Sequence, residues 1–549
     1  MKRFRLITDY WLLITGLFLA HTLFYFFALG TDAVDDAYIS FRYAQNAILG
    51  NGLFFNPGER VEGFTNFLWT TLMIPLEGAH VDVGRASMIL GVLFGLATLW
   101  LVVRFAKTVG APRGAGILAA LLLAVDGSFA LWAVAGLETL LFAFLVFAGA
   151  LLYMREQDEG RKTEDGFWSS VLRLAQRPSF PYSGIFFALA AMTRPEGLFV
   201  FAITVAHQAA WRIFAERRLI TRQDLTRVVA FGALFAPYWL GRWWYYKSFL
   251  PNSFYAKVSA TGPAAQIERG WNHLSQFVAV HLGWLIALPP VVTLWLSLRR
   301  LPSPLGDAAT QQSPQTVRTH RFARNNATPL FWTTYFLAIV VIYAAYIVYV
   351  GGDWSVGRFF VPLLAPFYLL FSTGIVEIWS WIVDKLPQVW ITRARYATVG
   401  LSLALAAALF AFSSWNGEYG IYISGFDAGN ATLARETMGK WLRANVPAGT
   451  LIAVDAAGQV PYFSELPAID MFGINDLHIG RLNVPTLGQG TPGHEKFDLG
   501  YVIARAPTFV VIYGTLFDSV KEYERAPVDW TSNPALSKFL TLYQRRTSP

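Results

Sequence analysis

The sequence predicts a polytopic α-helical membrane protein that ends in a small α/β domain. Three observations carry that expectation. Of 549 residues, 54% are hydrophobic and only 15% are charged, whereas soluble domains carry about 25% charge. Apolar runs of about 20 residues recur through the first three quarters, each long enough to cross about 30 Å of hydrocarbon. From about residue 414 the runs shorten to strand length and alternate with helical patterns. The chain divides accordingly into a transmembrane part, 1–413, and an extracytoplasmic domain, 414–549.

The candidate spans are 10–29, 85–103, 114–125, 137–153, 183–193, 197–211, 229–246, 274–297, 331–350, 359–380 and 396–413, about eleven by the length criterion. MKRFR ahead of an apolar run resembles a signal peptide, but no small-residue cleavage site follows. The first run therefore reads as an uncleaved span. With Lys2, Arg3 and Arg5 inside, cations gather in the inside loops: Arg104, Lys107 and Arg113; Arg155, Arg161, Lys162, Arg173 and Arg177; Arg212, Arg217 and Arg218. This is the usual bias of membrane proteins. It assigns the net charge of +8 to topology and not to nucleic acid. The connectors "REQDEGRKTEDG" (155–166) and "SPLGDAATQQSPQT" (303–316) read as solvated loops. Cysteine is absent, which excludes disulfides and thiolate metal sites.

In the C-terminal part, "TLIAVDA" (450–456), "PAIDMF" (467–472) and "TFVVIYG" (508–514) have strand length and composition. Between them, 430–446 places Leu433, Met438, Trp441 and Leu442 on one helical face. "AVDAAGQVPYF" has the order strand, glycine turn, helix start, but its single glycine does not make a nucleotide fingerprint.

The outside segments hold the unusual polar clusters: "DDAYISFRYAQN", "GERVEGFTNFLW", "AGLET", "TRPEG", "LPNSFYAK" and "GGDWSVGR". Their shared face points to one site. Asp35 and Asp36 follow the first span. An Asp there can cap a helix; an adjacent like-charged pair also raises at least one pKa, which suits a base that deprotonates a hydroxyl. Arg42, Arg60, Arg194, Lys257 and Arg358 lie at outer span ends. Single cations there can snorkel to the interface, but several beside carboxylates suit an anionic ligand such as a lipid phosphate. Glu138 and Glu196 begin spans, where a carboxylate also offsets the helix dipole. Tyr255 suits an interfacial belt or a sugar contact. His478 and His494 lie in the terminal domain.

The set "DDAYISFRYAQNAILGNGLFFNPGERVEGFTNFLW", "GLET", "TRPEG", "LPNSFYAK" and "GGDWSVGR" resembles the GT-C superfamily of polyprenyl-phosphate-sugar glycosyltransferases, and within it the bacterial arabinofuranosyltransferase B group. "GQVPYFSELPAIDMFGINDLHIG" and "GHEK" resemble that group's soluble domain. The resemblance implies an outward-facing cavity in a bacterial cytoplasmic membrane, a lipid-borne phosphosugar donor and an acceptor arriving from outside. It carries Asp35 and Asp36 as the catalytic acidic motif. Glu138, Arg194, Glu196, Lys257 and Arg358 carry over as cavity residues; together with Arg42 and Tyr255 they are the expected donor phosphate or sugar contacts, and His478 and His494 are expected acceptor or cavity residues. The group's donor is decaprenyl-phosphoryl-arabinofuranose, and acceptors among relatives extend from cell-wall glycan to glycoproteins. The same scaffold moving mannose or aminoarabinose, a lipid-linked sugar transporter, and a divalent cation held by Asp35 and Asp36 stay open at this point.

Overall fold

The computed structural model describes residues 2–157, 181–217, 221–257, 264–299, 316–355, 357–528 and 534–546. Arg161, Lys162, Arg173, Arg177 and Arg218, and stretch 303–315 of the second connector, lie outside the described residues.

Among the described residues, seven helices are long and apolar enough to cross a membrane: Tyr10–Ala28, Val83–Thr108, Thr139–Gln157, Glu196–Phe214, Pro329–Val350, Arg358–Val383 and Tyr396–Asn445. The pair Ala115–Ala124 and Gly127–Ala133, bent by 62°, adds an eighth. The bend has a local cause. Asp126 accepts the N–H of Phe129 at 2.9 Å and starts a new helix, while Gly127 lets the chain approach the backbone of Ser413 and Ser414.

Three of the eleven expected spans do not meet the same criteria. Tyr182–Thr193 is helical but has 12 residues. Arg222–Tyr246 is a 25-residue helix diluted by Arg222, Asp224, Arg227 and Arg242. The expected span 274–297 is divided into Ala264–Ala279, a 3-10 turn Trp284–Ala287, and Leu288–Arg299. Leu282 and Gly283 both take positive φ there, and Pro289 and Pro290 supply no N–H to an earlier turn, so they can only begin a helix.

The last apolar rod runs through a π-helical stretch, Phe410–Ser424, into the soluble domain, so the composition change at 414 falls inside one helical rod. The domain holds a five-stranded sheet of order β2-β1-β3-β5-β4. The strands are β1 (Ile452–Val454), β2 (Ala468–Asp470), β3 (Phe509–Ile512), β4 (Tyr523–Arg525) and β5 (Thr541–Arg545). β1 pairs in parallel with β2 and β3, and β5 runs antiparallel to β3 and β4. The three strands expected from hydrophobic patterning are β1, β2 and β3.

The helix Asp35–Ile48, in the loop after the first membrane helix, joins the two parts. Ala37, Tyr38, Phe41 and Ala44 recur at helical spacing and pack into the membrane-helix core. Ile39 and Tyr43, on another face, enter the core of the α/β domain beside Met438, Ile452 and Val454. Arg42 lies between these faces, buried, and donates to three backbone carbonyls: Phe55 at 2.8 Å, Leu466 at 2.6 Å, and Pro461. At the same seam Tyr462 donates to Glu77 at 2.8 Å.

Two outcomes follow from this seam. Arg42→Met strands three buried carbonyls and costs about 3 kcal/mol of stability, read as a lower midpoint in thermal unfolding of the purified protein. Glu77 is pushed up to about 7 by burial, against the hydrogen bond from Tyr462. Its folded-state pKa lies above its unfolded one, so its stabilising contribution is present below about pH 4 and lost as pH rises through about 7. Between pH 5 and 8 the wild type loses about 1 kcal/mol more than Glu77→Gln, a figure discounted for partial exposure; parallel melting curves across that range would remove this assignment.

Candidate functional site

A cavity of about 860 Å³ opens between the loop after the first membrane helix and the C-terminal α/β domain, with Asp35 and Asp36 in its wall. The structure gives the two carboxylates different surroundings. Neither caps its own helix, since Val34 takes that position. Asp35 points at the soluble domain: Oδ2 accepts the N–H of Gly458 at 3.1 Å and Oδ1 that of Gln459 at 2.8 Å. Arg435 Nε lies 4.0 Å from Oδ1. Burial pushes the Asp35 carboxyl above its ordinary value, against Arg435 and the two N–H groups. Gly458 is required at this contact, because a β-carbon would run into the Asp35 carbonyl.

Asp36 keeps about a third of its side chain exposed (36%). Its Oδ2 accepts Trp354 Nε1–H at 3.1 Å and faces Arg358 at 3.4 Å. From Arg358 a buried chain of alternating charge continues: Arg358 to Glu138 at 3.4 Å, Glu138 to Arg194 at 2.7 Å, and Arg194 to Glu196 at 3.0 Å. Asn66 donates to the other Glu138 oxygen at 2.8 Å. Burial pushes Glu138 up, but Arg358 and Arg194 outweigh it and hold the carboxyl below its ordinary value.

Local sequence explains how these groups meet. Arg194 precedes Pro195, which excludes it from the helical region, and its extended φ/ψ of −151°/142° ends one helix before Glu196 begins the next. The turn between them presents Arg194 to Glu138 and Glu196 to Arg194. Gly351 and Gly352 take φ of +86° and +74° after the long helix ending at Val350, a region open to glycine at no steric cost. They turn the chain so that Trp354 and Arg358 reach Asp36. Beneath Arg358, Gly357 packs directly on Ser128 and Glu418, which are joined by a 2.8 Å hydrogen bond.

Of the other expected residues, Lys257 and His494 line the cavity, and the His494 ring meets Phe472 at 4.8 Å. Glu138, Arg194, Glu196 and Arg358 do not line it themselves but form the charge chain behind Asp36, and Arg42, Tyr255 and His478 do not line it either. Arg42 is consumed by the backbone carbonyls described above. Tyr255 is held at the domain seam, its carbonyl accepting from Lys496 at 2.8 Å and its ring under Arg481. His478 pairs with Asp498 at 2.8 Å on the surface. Arg435, Asp455, Tyr513 and Lys538 also line the cavity and were missed by the motif reading. Asp455 alone had a signal, as the residue ending strand "AVD". For a cation, the acidic pair supplies few free oxygens: both of Asp35's accept N–H groups and one of Asp36's faces two donors. Among the described residues no group of three or more His, Cys, Asp or Glu is arranged to hold a metal.

A bundle of membrane helices whose first inter-helix loop places a carboxylate pair in a cavity under a small α/β domain is a fold shared with a solved structure. The crystal structure of ArnT from Cupriavidus metallidurans bound to undecaprenyl phosphate superposes with a TM-score of 0.54 at 12% identity, over 97% of this chain and 98% of that one. Two relatives are each named terminal beta-(1->2)-arabinofuranosyltransferase. That of Mycobacterium tuberculosis is 28% identical, over 66% of this chain and 57% of its own length. That of Corynebacterium glutamicum is 23% identical, over 71% of this chain and 52% of its own length. The match thus spans little more than half of each relative. A family model described as a domain of unknown function, DUF8728, matches residues 425–547.

The charge chain has a structural consequence. Glu138→Ala leaves Arg194 and Arg358 facing a buried gap and destabilises the protein by about 3–5 kcal/mol, measured by thermal unfolding in nanodiscs. An unchanged midpoint would mean the network is solvated and dispensable.

Proposed function

We propose that this protein transfers a sugar, arabinofuranose, from a polyprenyl phosphate to an acceptor hydroxyl on the outer face of the bacterial cytoplasmic membrane. The observation that carries the reading is the contact between a partly exposed carboxylate, Asp36, and the Arg358–Glu138–Arg194 chain, in a cavity that Lys257 also lines. The names of the two relatives and the lipid phosphate bound to ArnT support the donor class. The excess of cations in the loops on the other side supports an inside N-terminus and an outside site.

The groups divide the chemistry between them. The acceptor oxygen attacks the anomeric carbon and forms the new glycosidic bond, while the bond from that carbon to the phosphate oxygen breaks. Asp36 takes the acceptor's proton; it lines the cavity and has exposed surface to receive it. The departing phosphate carries away the electron pair and needs positive charge more than a proton. Lys257, whose ammonium has no ion pair to another described residue, supplies it together with Arg358. Arg358 is held from behind by Glu138, so its charge is in place before the donor arrives. Asp35 acts as a positioning residue: both its oxygens are tied to the soluble domain, which holds the first turn of the helix, and therefore Asp36, at the cavity.

The test uses the full chain in nanodiscs with synthetic prenyl-phosphoryl-arabinofuranose and a panel of glycan and peptide acceptors. Asp36→Asn lowers turnover by about 10²–10⁴-fold with donor affinity retained, and Lys257→Ala weakens donor binding about tenfold. Wild-type turnover in both Asp35→Asn and Asp36→Asn would remove the carboxylate assignment. Failure to bind this donor would remove the sugar assignment.

A further inference from the structure

The cavity wall opposite Asp36 belongs to the soluble domain, and no step above uses it. β1, β2 and β3 are mutually parallel, and the residues at their carboxyl ends, Asp455, Asp470 and Tyr513, all line the cavity. In parallel sheets this edge is where ligands bind, because strand-end side chains and loops converge there with no further strand to cover them. Asp470 is committed to the fold, its oxygens accepting the N–H groups of Phe472, Gly473 and Asn475. Asp455 accepts the N–H of Tyr513 at 2.6 Å through Oδ2, and a carboxylate has about four acceptor positions. It therefore retains capacity toward the cavity.

Two further features mark the wall. Tyr513 and Phe426 are 70% and 66% exposed, far more than is usual for aromatic side chains. Arg435 Nε–H is buried without a hydrogen-bond acceptor among the described residues. We infer that this strand-end wall is the acceptor subsite and that it takes a neutral glycan, with a sugar ring on Tyr513 and its hydroxyls bonded by Asp455 and Arg435. The inference rests on the transferase reading above and deepens it.

The chemistry favours a glycan over a peptide. Exposed rings suit the apolar face of a sugar, and one carboxylate with one guanidinium offers an acceptor and donors to neutral hydroxyls. On this wall Lys538 pairs with Asp427 at 2.9 Å and Arg435 lies 4.0 Å from Asp35, so its cations already face carboxylates, and Lys257 is assigned above to the donor phosphate. An extended peptide would pair along an open sheet edge, and the cavity meets the ends of β1, β2 and β3 instead.

The test is direct binding of a synthetic neutral arabinofuranosyl tetrasaccharide to the full chain in nanodiscs, followed by saturation-transfer NMR. The wild type binds it. Tyr513→Ala weakens binding about tenfold or more, Tyr513→Phe restores it, and Asp455→Asn weakens it severalfold; affinity for the prenyl-phosphoryl donor is the same in all. Because Tyr513 is exposed, its truncation leaves the domain core intact. Wild-type affinity in both Tyr513→Ala and Asp455→Asn overturns the inference, as does a wild type that does not bind the tetrasaccharide, whether or not a peptide binds. Tyr513-dependent glycan binding without transfer from any prenyl-phosphoryl sugar would keep the glycan subsite and remove the transferase reading.

Discussion

The helix Asp35–Ile48 is packed on two sides, and the site depends on that constraint. Its Ala37, Tyr38, Phe41 and Ala44 are buried with the membrane helices and its Ile39 and Tyr43 with the α/β domain. A helix with one apolar stripe can roll about its axis; one with two buried faces cannot. The register of the first turn follows. Asp35 must meet the N–H groups of Gly458 and Gln459, and Asp36 must meet Trp354 and Arg358. Two adjacent carboxylates thereby acquire different environments from one rigid element.

The charged groups behind the cavity form a chain and not a set of pairs. Buried ion pairs contribute little net stability, because desolvation offsets most of the attraction. Their value here is positional. Each arginine lies between carboxylates, so neither can swing away without stranding a charge. Pro195 and the two glycines before Asp353 set the backbone that makes this geometry available. The arrangement provides fixed positive charge next to a carboxylate whose surface remains open, which suits a reaction that separates an anionic leaving group from a neutral acceptor.

The soluble domain is part of the site. It supplies the N–H groups on Asp35, the cation Arg435 and the strand-end wall with Asp455 and Tyr513, and its core is continuous with the outer loop. The cavity is thus shared by the loops between the membrane helices and the carboxyl ends of β1, β2 and β3. Arg42, a donor-site expectation from its motif, belongs to this joint: a guanidinium with five N–H donors can bind carbonyls from separate segments, and here it does so with every edge used.

Local composition determined the class of the protein, the C-terminal strands β1, β2 and β3, and the face on which polar clusters collect, because hydropathy and side-chain period act over one element at a time. It also brought Asp35, Asp36, Glu138, Arg194, Glu196, Lys257, Arg358 and His494 into consideration. Among the described residues, eight of the eleven expected runs meet the length and composition criteria; Arg222–Tyr246 carries several charges, and the run 274–297 is interrupted ahead of the Pro289–Pro290 pair, a break that a window average passes over. Only the tertiary structure separated Asp35 from Asp36, removed Arg42, Tyr255 and His478 from the cavity, set Glu138, Arg194, Glu196 and Arg358 behind its wall, and added Arg435, Asp455 and Tyr513. Those decisions depend on what faces each side chain from 13 to over 400 residues away in the chain, and a motif records only a residue's immediate neighbours.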